Sequence, residues 1–241
     1  MKNILWTGGW DSTFRICDLV IIKKISVQPF YIIDSNRSSN SVELETMKKI
    51  KKNIYRDFPY TEGLIAEPVL IRIEEISKNN EITNKFNNLT KKSFMGSQYD
   101  WLARFSEENS INNLELSIHK DDNAEYFVRN YIKPINEEKD FYYALDKDMY
   151  NSDYGIFKYY HFPLLDLTKI EMGEIAKNNN FDHIMEMTWF CFNPTRSHKP
   201  CGYCNPCKYT REEGLGRRVP SKLHGKYNRI ERAILKRLTI V

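Results

Sequence analysis

The sequence predicts an α/β protein built on a parallel, twisted β-sheet with helices on both faces. Short apolar runs alternate with amphipathic segments, and each connection is long enough for a helical crossover. A glycine turn joins the first apolar run directly to a helical pattern. With 241 residues, of which 41% are hydrophobic and 28% charged, the chain can bury the core that such a sheet needs.

The first predicted unit is a strand, a glycine turn and a helix. Residues 1–6 end in the apolar run Ile-Leu-Trp, and Phe14 begins an apolar pattern with a helical period. Between them, Gly8 and Gly9 let the backbone bend tightly and approach a ligand without a Cβ in the way. The free N–H groups of the turn and the helix start favour an anion. A hairpin with a Gly-Gly tip is the alternative, but the flanking elements have the order that a phosphate loop needs.

Three further strands and two helices are predicted before residue 120. Apolar runs predict the strands, at 26–34, 65–73 and 113–119. Helical spacing of apolar residues predicts the helices, at 42–54 and 98–109. Pro68 keeps part of its strand at a sheet edge or a bulge. The Asn-rich stretch 74–90 is expected to be loop with a short helix.

Residues 121–160 interrupt the alternation with many charged and aromatic residues. We interpret them as a helical insertion with hairpin-like or loop parts, whose aromatics form a small core of their own rather than a base-stacking surface. A helix is predicted again after Thr168, because Glu171 stands three residues later in capping-box position. It is expected to end at the Asn triplet 178–180, where a left-handed residue is favoured.

Four of the five cysteines lie within seventeen residues, at Cys191, Cys201, Cys204 and Cys207. A C-x-x-C-x-x-C run does not fit a regular core stripe, and a C-x-x-C turn can place two thiolates on one metal. The set predicts a closed structural zinc site, with a redox pair or an iron–sulfur cluster as the rival. His198 could replace one ligand, although its neighbours indicate an exposed loop. Cys17 falls on the apolar face of the first helix as a core residue.

The charge distribution and the lengths of the apolar runs exclude several classes of protein. The whole chain has a net charge of +4 and residues 216–241 have a net charge of +7, so the other residues together have a net charge of −3. A body with that charge is not expected to be a general nucleic-acid binder. No apolar run is long enough to span a bilayer, and no signal-peptide pattern opens the chain. We expect a cytoplasmic protein with an α/β domain at 1–190, a zinc-binding segment at 191–215 and a basic helical tail at 216–241.

The run Thr7-Gly8-Gly9-Trp10-Asp11-Ser12 resembles the S-G-G-x-D-S loop of the PP-loop ATP pyrophosphatases, with Thr7 in place of the first Ser. It fits neither a Walker loop nor a dinucleotide fingerprint. Together with Cys191 and the later run Cys-Gly-Tyr-Cys-Asn-Pro-Cys, it resembles the 7-cyano-7-deazaguanine synthases. The stretches Phe162–Leu165, Lys169–Glu171 and Thr188–Cys191 also look like that family's segment before its zinc site.

The resemblance implies an ATP-dependent carbon–nitrogen ligase of queuosine biosynthesis, which activates the carboxylate of 7-carboxy-7-deazaguanine, forms the amide with ammonia and dehydrates it to the nitrile. It implies ATP, Mg²⁺ and Zn²⁺ as cofactors, and a homodimer. Catalytic roles fall on Asp11, Ser12 and Lys169, although Lys169 is equally well explained as a solvated first-turn residue. The residues implied for ATP binding form one run: Trp6, Thr7, Gly8, Gly9, Trp10, Asp11, Ser12 and Thr13.

The sequence departs from that family where the base should bind. Ser35–Arg37 replaces Tyr-Gly-Gln, Ser97–Gln98 replaces Arg-Asn, and His119–Asp122 stands where Asp-Cys-Arg is usual. Our candidates for substrate contacts are Gln98, His119 and Asp121, with Gln98 chosen because an amide both donates and accepts. Such differences suit the relatives found in bacterial anti-phage operons, where the resemblance implies attachment of a deazaguanine to a protein partner.

Two other classes stay open at this stage. A PP-loop tRNA-modifying sulfurtransferase needs a reactive cysteine outside the zinc site, and Cys17 is the only one to spare. A zinc-knuckle nucleic-acid-binding module would use the basic tail. The tail helix, however, has an apolar face that is better suited to docking on protein, formed by Ile230, Ile234, Leu235 and Leu238.

Overall fold

The computed structural model describes residues 1–120, 122 and 124–238, with side chains through residue 234. Its sheet has seven strands: β1 (Lys2–Leu5), β2 (Val27–Ile33), β3 (Val69–Arg72), β4 (Leu114–Glu115), β5 (Ile132–Asn136), β6 (Phe141–Leu145) and β7 (Tyr160–Phe162). Their order is β3-β2-β1-β4-β7-β6-β5. The first five in that order run parallel, and the β5–β6 hairpin joins antiparallel. The predicted α/β class is confirmed.

Helices pack on both faces of the sheet. They are α1 (Trp10–Cys17), α2 (Asn40–Asp57), α3 (Asn80–Thr90), α4 (Gln98–Glu108), α5 (Glu125–Val128), α6 (Lys169–Asn178), α7 (Asp182–Met185), α8 (Asn205–Thr210) and α9 (Lys222–Leu238). Buried residues of α1, α2 and α6 form one core cluster, those of α3 and α4 form a second with β4 and β7, and the four cysteines of residues 191–207 form a small third one with Val219. Among the described helices, none combines the length and the apolar character needed to cross a membrane.

Several predicted elements have the expected local cause. Thr168 and Glu171 form the capping box that starts α6, and Asn180 takes the left-handed conformation just after its end, with a φ of +61°. Strand β3 lies at the sheet edge and begins one residue after Pro68. There the missing N–H of proline leaves no gap in a central ladder.

Other elements differ from the prediction. The Asn-rich stretch contains the three-turn helix α3, because the Asn79 side chain caps it by accepting from the N–H groups of Glu81 and Ile82. The fourth predicted strand shrinks to the two residues of β4, and β7 was not predicted at all. Both are short central strands, whose length is set by pairing with neighbours rather than by local pattern.

The aromatic-rich segment is joined to the main fold. Its β5–β6 hairpin extends the sheet through the pairing of β6 with β7. Phe127, Phe157 and Tyr160 are buried in the same cluster as Phe30 and Phe105, which come from β2 and α4. The prediction of a separate small core is therefore wrong: these aromatics fill one face of the common sheet.

A buried ion network fastens the hairpin to the rest of the sheet. Arg15 on α1 is 1% exposed and donates to both oxygens of Glu115 on β4, at 2.7 and 2.8 Å. It also donates to both oxygens of Asp140 in the hairpin turn, at 3.0 and 2.6 Å. Lys2 and Lys23 bind the same Asp140 carboxylate at 3.1 and 2.9 Å. These pairs hold the pKa of Asp140 well below its usual range, against the opposing effect of burial.

Replacing Arg15 with Ala should destabilise the fold by about 3–5 kcal/mol, because the change leaves two buried carboxylates without their bidentate partner. Guanidinium unfolding followed by circular dichroism measures the loss. The matched control is Arg56→Ala, which removes an exposed arginine paired with Asp57 and should leave the unfolding midpoint unchanged. Equal midpoints for both variants would show that the network does not stabilise the fold.

Candidate functional site

The glycine loop lies between β1 and α1, at the carboxyl end of the parallel strands. Gly8 has a φ of +69°, and a Cβ there would lie only 3.3 Å from the carbonyl oxygen of Glu43. Glycine satisfies both constraints at once. Gly9 is the N-cap of α1 and gives it no side-chain hydrogen bond. The first N–H groups of α1 are therefore available to an anion.

Apart from Gly8, the predicted ATP-binding run divides into two sets. Trp6 and Thr13 are fully buried, and the Trp6 indole N–H donates to Thr13 Oγ1 at 3.0 Å. They support the loop from behind. The residues that line a cavity are Thr7, Gly9, Trp10, Asp11 and Ser12.

Four charged or titratable groups meet beside the loop. Lys169 Nζ lies 2.7 Å from Glu213 Oε2 and 3.5 Å from Asp11 Oδ2. His119 Nε2 lies 3.7 Å from Glu213 Oε1 and 4.0 Å from Asp11 Oδ1. Burial raises the pKa of Asp11, an effect that Lys169 and His119 partly offset. Burial alone would lower the pKa of Lys169, but the two carboxylates outweigh it and raise that pKa, so the ammonium stays charged at neutral pH.

Two cavities flank the loop. The α4 cavity, of about 160 Å³, is lined by residues that include Leu5, Gln98, Leu102, Leu116 and Asp122. The α2 cavity, of about 180 Å³, is lined by residues that include Arg37, Glu43, Lys169, Trp189 and Arg218. Thr7, Gly9 and Asp11 line both. Each volume is many times that of a single-water site, so each cavity has room for a small organic group.

The predicted substrate contacts separate in space. Gln98 is exposed and lines the α4 cavity. His119 is 4% exposed and belongs to the charged group around Asp11 and Lys169. Asp121 lies outside the described residues; Asp122, next to it, lines the α4 cavity. The structure thus brings Gln98 and His119 to the loop from different directions, and their substrate roles stay predictions.

The four predicted metal ligands come together. Cys191, Cys201, Cys204 and Cys207 are buried, and their Sγ atoms all lie within 4.8 Å of one another. Three Sγ–Sγ distances are 3.4, 3.8 and 3.9 Å. Zn–S bonds of 2.3 Å at tetrahedral angles require edges of about 3.8 Å, so the cluster could bind one zinc ion. Backbone N–H groups of Cys201 and Cys204 point at thiol sulfurs at 3.2 and 3.4 Å, which favours thiolates.

The cysteine cluster is tied to the glycine loop on one side and to the tail on the other. The Trp189 backbone N–H donates to the Gly8 carbonyl at 2.8 Å, and its indole N–H donates to the Cys191 carbonyl at 2.7 Å. On the far side, the Asn228 amide of α9 donates to the Cys201 carbonyl at 3.1 Å. The cluster therefore fixes the segment that closes the α2 cavity.

Three other predictions can be followed into the structure. His198 is exposed, as its neighbours indicated, and the four cysteines meet without it. Cys17 is fully buried, and burial raises the pKa of its thiol, which is unsuited to a persulfide carrier. On α9, Ile230 and Ile234 are 61% and 53% exposed, so these two residues of the predicted apolar face are not packed on the described body; the side chains of Leu235 and Leu238 lie outside the described part.

Sequence reasoning missed three residues of this site. Glu213 is brought to Lys169 by the irregular turn after α8, and Arg218 is held over the Trp10 ring at 5.3 Å. Glu43 lies on the inner face of α2. No local signal marks Glu213 or Arg218, each of which stands beside another residue of the same charge. Glu43 stands four residues before Met47, in register with the buried stripe of α2, but this spacing does not by itself separate it from a solvated residue.

A glycine loop at the carboxyl end of a parallel sheet, with a lysine 3.5 Å from Asp11 and a cluster of four cysteines beside it, is typical of a nucleotide-using α/β enzyme with a metal-binding region. The model of one family, described as queuosine biosynthesis protein QueC, matches residues 4–218. The chain therefore belongs to the 7-cyano-7-deazaguanine synthase family of the PP-loop superfamily. A comparison with curated proteins finds no match.

Membership sets the general activity. The family comprises ATP-dependent enzymes of the synthase and ligase type that make 7-deazaguanines in queuosine biosynthesis. The match includes the glycine loop, both cavities and all four cysteines. It ends at Arg218, four residues before α9 begins.

Proposed function

We propose that this protein uses ATP to activate the carboxylate of a 7-deazaguanine as an acyl-adenylate. One observation carries the proposal: the α4 and α2 cavities meet at Thr7, Gly9 and Asp11, with the Lys169 ammonium 3.5 Å from Asp11. A nucleotide in one cavity and a base in the other would bring the α-phosphate and the carboxylate together at the loop.

The chemistry follows from the weak reactivity of a carboxylate. One carboxylate oxygen attacks the α-phosphorus, the bond to the bridging oxygen breaks, and pyrophosphate leaves with the electron pair. Ammonia then attacks the acyl carbon, AMP leaves, and a proton is released to give the amide. A second ATP activates the amide oxygen in the same way, with loss of pyrophosphate, and departure of AMP and of both protons of the amide nitrogen gives the nitrile.

The residues of the loop have distinct roles in this proposal. The N–H groups at the start of α1 and the Lys169 ammonium stabilise the charge that develops on the phosphate oxygens. The Ser12 hydroxyl adds a donor at the same point. Asp11 does not face phosphate alone: it holds Lys169 in place and offers its remaining oxygen to a metal ion.

Asp11 also provides the test of fit for Mg²⁺. Its Oδ1 is buried and has no hydrogen-bond partner in the described part of the chain. Carboxylate oxygens are the ligands that Mg²⁺ prefers, and Asp122 lines the same α4 cavity. When bound, the ion would neutralise phosphate charge. The cysteine cluster, in contrast, offers four soft ligands and no open position, so we assign it a structural Zn²⁺.

Two molecules could accept the activated carboxylate in this proposal. Ammonia gives the amide and then the nitrile, whereas an amine of a protein partner would give a conjugate. The altered stretches at Ser35–Arg37, Ser97–Gln98 and His119–Asp122 are compatible with either. We further propose a cytoplasmic homodimer, with the ATP-binding, zinc-binding and tail regions divided at residues 190 and 215.

One experiment tests the proposal. The protein is incubated with ATP, Mg²⁺ and 7-carboxy-7-deazaguanine, with and without ammonium, and the products are identified by mass spectrometry. We expect AMP and pyrophosphate that depend on the carboxylate, and amide or nitrile when ammonium is present. If AMP forms but neither amide nor nitrile appears when ammonium is added, the activated carboxylate has a different acceptor. ADP and phosphate, or AMP release indifferent to the carboxylate, would contradict the proposal.

A further inference from the structure

The α2 cavity has a wall of unusual chemistry for a phosphate site. Glu43 contributes a carboxylate there and is only 4% exposed. Its Oε1 accepts from the Ser39 hydroxyl at 2.6 Å, and its Oε2 accepts from the Tyr31 hydroxyl at 2.9 Å. Among the described residues, no lysine, arginine or histidine nitrogen lies within 4.0 Å of it.

A buried carboxylate in this state has unused binding capacity. Two carboxylate oxygens have about four lone-pair positions, and the two hydroxyls occupy two of them. Burying a carboxylate without a cation is costly unless further donors satisfy it. Because Glu43 lines a cavity, a ligand that presents adjacent N–H groups could supply those donors.

The remaining walls suit a flat ring that carries a negative group. Trp189 and Phe190 have nearly parallel rings, with an interplanar angle of 23°. The Arg218 guanidinium lies 5.3 Å from the Trp10 ring and 5.4 Å from the Phe190 ring. Lys169 lines the same cavity at the end nearest Asp11. Aromatic faces stack on a planar base, and the two cations can receive a carboxylate.

We propose that the α2 cavity binds the 7-deazaguanine base, with Glu43 accepting hydrogen bonds from the ring N–H and the 2-amino group of its pyrimidinone edge. The inference rests on the proposed function and deepens it by naming the side chain that selects a 2-amino base. A carboxylate matches two adjacent donors, which a guanine-type edge presents and an adenine edge does not. The base carboxylate then points toward Lys169 and the loop.

This assignment gives the α4 cavity to the nucleotide. Leu5, Leu102 and Leu116 provide apolar walls for the faces of adenine, and Gln98 can both donate to and accept from its edge. Gln98 thereby becomes a contact to ATP instead of the contact to the deazaguanine that the sequence suggested. The two assignments make opposite predictions for substitutions of Gln98 and Glu43.

The test compares two bases on four proteins by calorimetry, in the presence of α,β-methylene-ATP: the wild type, Glu43→Gln, Glu45→Gln and Gln98→Ala. The bases are 7-carboxy-7-deazaguanine and its analogue without the 2-amino group. The wild type should prefer the 2-amino base roughly tenfold or more, the contribution of a paired contact to a charged group. Glu43→Gln should lose most of that preference and bind ATP normally. Glu45→Gln, an exposed position on the same helix, should behave like wild type.

The preference ratio distinguishes recognition from folding, because a misfolded site would weaken both bases together. An unchanged preference in Glu43→Gln would overturn the inference, as would loss of the preference in Gln98→Ala. An equal loss of affinity for both bases would reduce Glu43 to a structural role and overturn it too. The proposed function fails separately, if the wild type releases no AMP that depends on the carboxylate. If the wild type does release that AMP but the base preference does not depend on Glu43, only the location of the base is rejected.

Discussion

Replacing Asp11 with Ala is expected to abolish pyrophosphate–ATP exchange, and Ser12→Ala should reduce it by about 10²–10³-fold or more. Both side chains line the α4 cavity at the glycine loop, where we propose that the α-phosphate is held. The Ala variant of Asp11 loses the buried Oδ1 that we assign to Mg²⁺ and frees Lys169 to pair with Glu213 alone. Exchange of labelled pyrophosphate into ATP, with the carboxylate substrate present, measures the effect.

The fold should survive these changes. Burial raises the pKa of Asp11, so its ionised form is disfavoured in the folded state, and at pH above its unfolded pKa the residue destabilises the protein. Asp11→Ala should therefore unfold at the same denaturant concentration as wild type, or at a higher one. Asp182→Ala and Ser77→Ala, both at exposed positions, are the matched controls and should retain exchange. Exchange that persists in both loop variants would show that the loop does not hold ATP.

Local pattern was sufficient for the elements whose cause is local. The strand, glycine turn and helix at the N-terminus are contiguous in sequence, and the capping box at Thr168 sets the start of α6 from within four residues. Elements whose position depends on residues distant in sequence could not be predicted from local pattern. The β5–β6 hairpin joins the sheet through β7, and through Arg15, whose partners lie 100 and 125 positions away. A single arginine between Phe14 and Ile16 gives no sign of such a network.

The site shows the same division. The glycine loop and the cysteine cluster depend on spacing within one segment, and the sequence placed both. The α2 cavity is built from five separate stretches of chain, and Glu43 reaches it only because α2 packs against Gly8. Its sequence neighbours are ordinary for an amphipathic helix, so one acidic residue there is indistinguishable from a solvated one. Predictions about the base therefore fell on Gln98, at the start of a helix that was visible in the sequence.

The second large effect concerns the metal. The purified protein should contain one zinc ion per chain, and Cys204→Ser should bind none that survives desalting, because a closed four-thiolate site loses a ligand that cannot be replaced. Metal binding contributes folding free energy, so the variant should also be less soluble and unfold at a lower temperature. The loss should reach the glycine loop, since Trp189 joins the Cys191 carbonyl to the Gly8 carbonyl. Elemental analysis and thermal unfolding measure both effects.

Cys17→Ala is the matched control, because Cys17 is also buried but belongs to the core cluster of α1, α2 and α6. It should lose some stability by leaving a small cavity and still retain a full zinc ion. Iron with visible absorption in the wild type, or zinc retained by Cys204→Ser, would contradict the assignment. A further comparison separates a structural role of the ion from a chemical one. If zinc removal abolishes pyrophosphate–ATP exchange only to the extent that the protein unfolds, the ion acts by holding residues 188–192, which link the cysteine cluster to the glycine loop. An exchange reaction lost while that segment stays folded would instead place the ion in the reaction itself.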